Sequence, residues 1–320
     1  MTTQFSQARQ RLGLLLRQQR HDEAVKMLDH YADAGDLDAI YERALWQLFG
    51  QTLPRNPENA LAAIRKAAAQ GHPNAMDAEI ALLANGFAGQ ADQATARLLV
   101  RAHASALPKY ARQSELLQVM DASAFSDGEL LCSEPSIRVI HDFIPHAICE
   151  YLIAKALPIV RPSFVIDPQT RKRVSHPVRI SSSANFGPIE EDIVINAVNL
   201  RIADLLLSDP RAGEPLHLLR YQEHQEYKLH HDALPGRMNQ RSHTAILYLN
   251  DDFVGGETEF PALGVTVKPR KASLLVFPNL DNAGRIDHRL VHAGLPVAQG
   301  EKWIATRWLR SHPLDLLNDQ

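Results

Sequence analysis

Hydrophobic patterning divides this chain of 320 residues into two textures. Up to about residue 115, apolar positions recur at helical spacing among Ala, Leu and Gln, as in ALAAIRKAAAQ and ATARLLVRAHA, which predicts an all-helical half. Beyond about residue 134 the period changes. One helical stretch, HAICEYLIAKAL, is followed by β-branched runs punctuated by Gly, Pro, Asn and Asp. HTAILYLN, VTVKP, SLLVF and WIATRWL each read as a short strand between turns, and NAVNLRIADLLL interrupts them as a further helix. Strands of this length and spacing predict a barrel or sandwich with helices packed on one outer face. The expected organisation is a helical domain over 1–115, a linker over 116–133 and a second domain over 134–314.

Within the helical half, Gly35 and Gly71 are 36 residues apart, as are Gly50 and Gly86, and Ala39, Ala75 and Ala111 share one register. A fixed period of this size marks a solenoid of helix pairs. Small residues let the two helices of a pair approach closely, and glycine suits the helix ends where the backbone must turn. ADAGDLDAIYERALWQLFG and AAQGHPNAMDAEIALLANG resemble Sel1-like repeats, relatives of the tetratricopeptide (TPR) repeat. In the third copy Leu107 takes the glycine's place and Pro108 follows it, so this copy reads as a terminal cap. Such a solenoid either presents a concave binding surface or covers and stabilises the other domain, and the sequence leaves both open.

Charge and cysteine content narrow the classes of function. With 34 basic and 37 acidic residues the formal net charge is -3, which leaves no basic excess to neutralise a phosphate backbone and argues against nucleic acid as the partner. Cys132 and Cys149 are the only cysteines, too few for a disulfide framework or a thiolate metal cluster; they read as thiols in a reducing compartment, and the expected location is cytoplasmic. The apolar run Leu14–Leu16 is too short for a signal peptide, and no apolar run approaches the roughly 18 residues of a membrane span, so no membrane association is expected.

The candidate chemistry starts at YKLHHDALPG. If this run is extended, His230 and Asp232 share a face and His231 points the other way. Two ligands are half a site, and His292 in LVHAGLPV is the candidate third. Two imidazoles and one carboxylate on one face of an octahedral ion leave three positions open, the arrangement of the non-haem Fe(II) oxygenases. Those positions must take a bidentate cosubstrate and dioxygen, and the cosubstrate's far carboxylate needs a cation. Lys302, ten residues after His292 in GEKWIATRWLR, is placed to return beside the metal on the next strand, and the expected dicarboxylate is 2-oxoglutarate. Among 15 histidines the competitors are His231, His243 and His288. Strand alternation turns His231 away, and only His292 directly precedes the A-G-x-P-V turn. Glu257 and Glu259 in GGETEFP read as part of a turn between strands, and the basic run Arg171 to Arg173 as a solvated loop.

Residues from about 134 to 312 resemble the catalytic domain of the prolyl 4-hydroxylase-like 2-oxoglutarate and Fe(II)-dependent dioxygenases. The similarity runs through HDFIPHAICEYLI, VRISSSANF, EPLHLLRYQEHQEYKLHHD, RSHTAILYLNDDFVGGETEFP, VKPRKASLLVF and HAGLPVAQGEKWIATRWLR. The resemblance implies a double-stranded β-helix, or jelly roll, with flanking helices. It puts iron on His230, Asp232 and His292 and 2-oxoglutarate on Lys302, with Tyr221 and Thr306 supporting the cosubstrate. Trp308, on the same face as Thr306, would wall the pocket, and Arg179 and Ser181 border the substrate mouth. The implied reaction consumes 2-oxoglutarate and dioxygen, yields succinate and carbon dioxide, and hydroxylates a prolyl or similar residue of a peptide or protein, with ascorbate as reductant. Recruitment of that substrate falls to the helical repeats. The alternatives are hydroxylation of a free amino acid or small metabolite and, outside the enzymes, a repeat-based binding scaffold with a vestigial oxygenase. The intact set of His230, Asp232, His292 and Lys302 argues against the scaffold, and a carboxylate at Asp232 argues against a halogenase. His224 and Ala272 stand where the family commonly has glycine.

Overall fold

The computed structural model describes residues 4–166, 173–175 and 179–317. They form two compact units, Met1–Ser114 with Gly187–Asn196, and Glu115–Phe186 with Ala197–Gln320. Among the described residues no helix is long and apolar enough to cross a membrane.

The first unit is built from α1 (Gln4–Arg17), α2 (His21–Asp33), α3 (Leu37–Phe49), α4 (Pro57–Ala69), α5 (Pro73–Asn85), α6 (Gln93–Ala104) and the start of α7 (Pro108–Ala122). The 36-residue period is written into their ends: α2, α4 and α6 start at residues 21, 57 and 93, and α3 and α5 at 37 and 73. Matching positions do matching work. The side chains of Asp36 and His72 accept backbone N–H groups at the starts of α3 and α5, and those of Asn56 and Asp92 do so for α4 and α6. Gly50 and Gly86 end α3 and α5 with φ of 69° and 72°, the left-handed region that glycine enters without strain. Ala39, Ala60, Ala67, Ala75 and Ala96 are fully buried, so consecutive helices meet through small side chains. The stretch 116–133, expected as a linker, instead carries the end of α7, whose Leu116, Leu117 and Met120 are buried, and the first strand of the next unit.

The second unit opens with β1 (Glu129–Ser133) and β2 (Ser136–Ile140), then α8 (His146–Ala156), β3 (Arg161–Pro162), β4 (Phe164–Ile166), β5 (Arg173–Ser175), β6 (Ser182–Asn185) and α9 (Ile193–Leu205). The core strands follow as β7 (His217–Tyr221), β8 (Tyr227–His230), β9 (Arg241–Tyr248), β10 (Val254–Gly255), β11 (Thr258–Phe260) and β12 (Val265–Val267). β13 (Leu274–Pro278), β14 (His292–Gly294), β15 (Val297–Gln299) and β16 (Lys302–Arg310) complete them. Each of the runs HTAILYLN, VTVKP, SLLVF and WIATRWL is thus a strand.

Eight strands join in the order β1-β2-β13-β9-β16-β7-β6-β3, and four in the order β12-β11-β14-β8, with antiparallel pairing throughout. One apolar core joins the sheets: Tyr221, Ile246, Tyr248 and Ile304 of the larger meet Phe260 and Val267 of the smaller. This is an antiparallel sandwich of the jelly-roll kind. β16 lies between β9 and β7, and all nine of its residues are buried. The side chains on alternate positions of this strand therefore face the space between the sheets, which is where the site lies.

Candidate active site

β8 and β14 are neighbours in the four-stranded sheet, and their register sets His292 directly opposite His230. Asp232 follows just past the end of β8, where the chain bends. The expectation of an extended run through Asp232 is corrected here: the strand ends at His230, and the bend, rather than strand alternation, brings the carboxylate round to the histidines. Ligand atoms of His230, Asp232 and His292 lie within 4.8 Å of one another. His230 Nε2 is 3.6 Å from Asp232 Oδ1, and His292 Nε2 is 3.7 Å from Asp232 Oδ2.

The surroundings fix how these donors present themselves. His230 Nδ1 donates to the Lys228 carbonyl at 2.8 Å and His292 Nδ1 to the Leu290 carbonyl at 3.0 Å, so each Nε2 keeps its lone pair for the centre. Burial pulls His292 down to about 4, against the opposing effect of Asp232, which leaves it neutral at neutral pH. Burial alone would raise the Asp232 carboxyl, but His230, His292 and the Thr244 hydroxyl together outweigh it and hold the group well below the usual carboxylate range. Two imidazole nitrogens and one carboxylate are a donor set that suits Fe(II).

Lys302 and Tyr221 are cross-strand partners on β16 and β7. Lys302, Ile304, Thr306 and Trp308 lie along one face of β16 and line a cavity that also reaches Tyr221 and the three candidate ligands. Lys302 is 3% exposed; its Nζ donates to the Gly256 carbonyl at 2.6 Å and sits 5.5 Å from the Tyr221 ring and 5.7 Å from the Tyr248 ring. Burial pulls this amine down to about 8, with Glu257 pulling the other way. Among the described residues no carboxylate lies within ion-pairing distance of it, so the cavity holds a cation ready for an anionic guest. A Cβ on Gly256 would stand 3.0 Å from Lys302 Cδ, which explains the glycine.

At the Tyr221 end, the Ser181 hydroxyl bonds to the phenol, and burial raises the phenol's pKa. The Arg179 guanidinium lies 5.7 Å from the ring of Tyr227, which itself stacks on His230 at 3.4 Å and 8°. Trp308 carries the Arg241 guanidinium over its ring at 3.9 Å; Glu214 holds that arginine through two 2.7 Å bonds, and a third reaches the Asp232 carbonyl at 3.2 Å.

Thus His230, Asp232, His292, Lys302, Tyr221, Thr306 and Trp308 share one cavity, with Ser181 and Arg179 touching its walls. The sequence reading passed over Tyr227, Arg241, Thr244 and Asn279. Thr244 was findable, since it alternates with the cavity-lining Ile246 on β9; Asn279 and Arg241 reach the site through contacts no local period encodes. His231 is not the idle outward spacer of an extended strand. Its Nε2 donates to the Asp287 carbonyl at 3.0 Å, and its Nδ1 accepts from Ala233 N at 2.9 Å. His288 is exposed, and His243 binds the Ser242 hydroxyl. Glu259 lies within β11 rather than in a turn. Of the basic run, Arg171 and Lys172 lie outside the described residues and Arg173 opens β5.

Such a site is what a non-haem Fe(II) oxygenase needs, and residues 216–310 match the 2OG-Fe(II) oxygenase superfamily. Prolyl 4-hydroxylase 1 of Arabidopsis thaliana is 36% identical over 218 residues, which cover 62% of this chain and 76% of that protein. Prolyl 4-hydroxylase subunit alpha-1 of Rattus norvegicus is 32% identical over 185 residues, 55% of this chain and 34% of that one. The viral collagen prolyl hydroxylase of Paramecium Bursaria Chlorella virus-1, solved as its 2OG complex, is 28% identical with a TM-score of 0.47, covering 57% of this chain and 99% of that one. The chain belongs to the prolyl 4-hydroxylase family of 2OG-Fe(II) oxygenases. It is a 2-oxoglutarate-dependent dioxygenase, and the cofactor set of its family is Fe(II), 2-oxoglutarate and dioxygen.

Proposed function

We propose that this chain hydroxylates prolyl residues of a peptide or protein, with Fe(II) on His230, Asp232 and His292 and 2-oxoglutarate anchored by Lys302. The observation that carries this reading is the buried Lys302, with no carboxylate among the described residues within ion-pairing distance, in the same cavity as the three donors. When bound, iron would supply the activation of dioxygen that couples decarboxylation of 2-oxoglutarate to succinate with hydroxylation of an unactivated carbon. The protein's own groups prepare the site. The Nδ1 bonds of His230 and His292 aim their Nε2 lone pairs, Lys302 offers a fixed charge to the far carboxylate, and Tyr221 and Thr306 stand beside it as further hydroxyl partners. Leu219, Ile246 and Ile304 make the cavity wall apolar, which limits water there.

For the substrate, Tyr227 and Trp308 offer flat apolar walls suited to a pyrrolidine ring, and Arg179 and Ser181 stand where peptide polar groups would meet them. The named activity of the plant and rat relatives supports prolyl over free amino acid. The 36-residue helix period supports a Sel1-like repeat domain over about 1–115, which we assign to substrate recruitment, followed by a catalytic domain over 134–314. Cys132 and Cys149 are both free thiols, in keeping with a reducing cytoplasm, and ascorbate is the expected reductant.

The test is iron-dependent conversion of 2-oxoglutarate to succinate with proline-containing peptides, with free proline and with neither, for the native chain and His292→Ala. Peptide-stimulated turnover that vanishes in His292→Ala is expected. Stimulation by free proline alone would move the substrate to a small metabolite, and no turnover under any condition would overturn the enzymatic reading.

A further inference from the structure

We propose that Thr244 and Asn279, neither of them a metal ligand, form a hydrogen-bond relay that fixes the Asp232 carboxylate for the metal. Thr244 is the positioning residue and Asn279 holds it in place. The inference rests on the assignment of iron to His230, Asp232 and His292.

Unlike the two histidines, Asp232 sits on a bend, and residues 231–240 form no strand. Its side chain is held from β9 instead: Thr244 Oγ1 donates to Oδ2 at 2.8 Å, and Asn279 Nδ2 donates to Thr244 Oγ1 at 2.9 Å. Thr244 and Asn279 are fully buried and Asp232 is 4% exposed, so water does not substitute for these bonds. The direction of the relay follows from proton counting. An ionised carboxylate only accepts, so the single hydroxyl proton of Thr244 goes to Asp232, and Thr244 must then accept from the amide nitrogen of Asn279. Asn279 is pinned by its own backbone, donating to the Ser242 carbonyl at 2.8 Å and accepting from Asp287 N at 3.1 Å. The Asp287 carbonyl in turn receives His231, so the relay is anchored to both chain segments that lead to ligands. With Oδ2 tethered, the carboxylate cannot turn about its last bond, and Oδ1 stays toward His230 Nε2.

The test uses the full chain, without oxygen, and measures its Kd for Co(II) by competition with a chromophoric chelator, together with the Co(II) absorption spectrum. Thr244→Val removes the hydroxyl at nearly constant shape and should weaken binding by roughly 10–100-fold, while Thr244→Ser, which restores the donor, should stay within about threefold of native. Asn279→Ala should fall between them, and the double variant should bind no worse than Thr244→Val alone, because Asn279 acts through that hydroxyl. The spectrum of the Thr244→Ser form should superpose on native and that of Thr244→Val should not. Melting of the metal-free proteins identifies a variant that has failed to fold; in that event the native Kd in Asn279→Ala overturns the relay by itself. A folded Thr244→Val chain with the native Kd also overturns it, as do additive losses in the double variant. If the native chain binds no divalent metal, the iron assignment itself falls, which is a distinct result from a native Kd that Thr244→Val leaves unchanged.

Discussion

His230 and His292 face each other across two antiparallel strands with ring centroids 4.2 Å apart, although 62 residues of chain separate them. Neither strand presents its ligand to the other unless β8 and β14 pair, so metal binding and this pairing are one event. Metal at a hundred times its Kd should raise the unfolding free energy by about 2.7 kcal/mol, the amount mass action gives for a ligand bound only by the native state. Denaturant titrations with and without Co(II) measure it. In His292→Ala the two curves should coincide, and a metal-dependent gain that survives the substitution would place the ion elsewhere.

His231 ties the bend after β8 to the turn before β14 through both ring nitrogens, yet it is not among the residues that line the cavity. His231→Leu leaves the Asp287 carbonyl and the Ala233 N–H without their partner, and should destabilise the metal-free protein by roughly 1–2 kcal/mol, the ordinary cost of such orphaned groups at a half-buried position. Turnover at saturating metal should persist, which separates this residue from its neighbours. Loss of turnover at saturating iron, with the fold intact, would make His231 part of the site.

That residue marks the limit of what strand periodicity could reveal. The long, fully buried β16 and the alternation that puts Lys302, Thr306 and Trp308 on one face were legible, because a period of two over nine residues leaves no ambiguity. His230 and Asp232 do converge, but not by strand alternation: the chain bends at Asp232, and a bend has no period to read. Tyr227 escaped because it reaches His230 by ring stacking across an irregular register, and Asn279 because its contact with Thr244 joins β9 to the residue just past the end of β13. The 36-residue helix spacing was legible from glycine and alanine alone, since those residues mark ends and close approaches.

The two positions where glycine is commoner in the family turn out to share a backbone conformation: His224 has φ of 65° and Ala272 of 64°. Both bear a Cβ where left-handed geometry disfavours one. Ala272→Gly and His224→Gly should each stabilise the protein by about 1 kcal/mol, the relief of that strain exceeding glycine's entropic cost. Ala272 is fully buried and its N–H and carbonyl are bonded to Tyr248 and Phe143, so its conformation is fixed on both sides and the gain should be clean. Equilibrium denaturation checks both, and a loss of stability at Ala272 would mean that the methyl group's packing outweighs the strain.

The last prediction concerns Lys302, whose amine burial brings from 10.5 down to about 8 in the folded protein. Between those values the unfolded chain binds the proton and the native one does not, so native stability should rise as pH climbs from about 8 towards 10.5, by up to about 3 kcal/mol. Below pH 8 the full cost of burying the charge is present, and Lys302→Met, which carries no charge, should be the more stable protein there; the difference between the two should close on the alkaline side. Cosubstrate reverses the preference. A dicarboxylate at Nζ favours the charged amine, so binding of 2-oxoglutarate should draw in a proton above pH 8, and its Kd should hold steady below that pH and rise by up to roughly tenfold per unit above it. Calorimetry in two buffers of different ionisation enthalpy reads the proton directly. An affinity that stays flat to pH 9.5, with no proton taken up, would remove Lys302 from the carboxylate's partners.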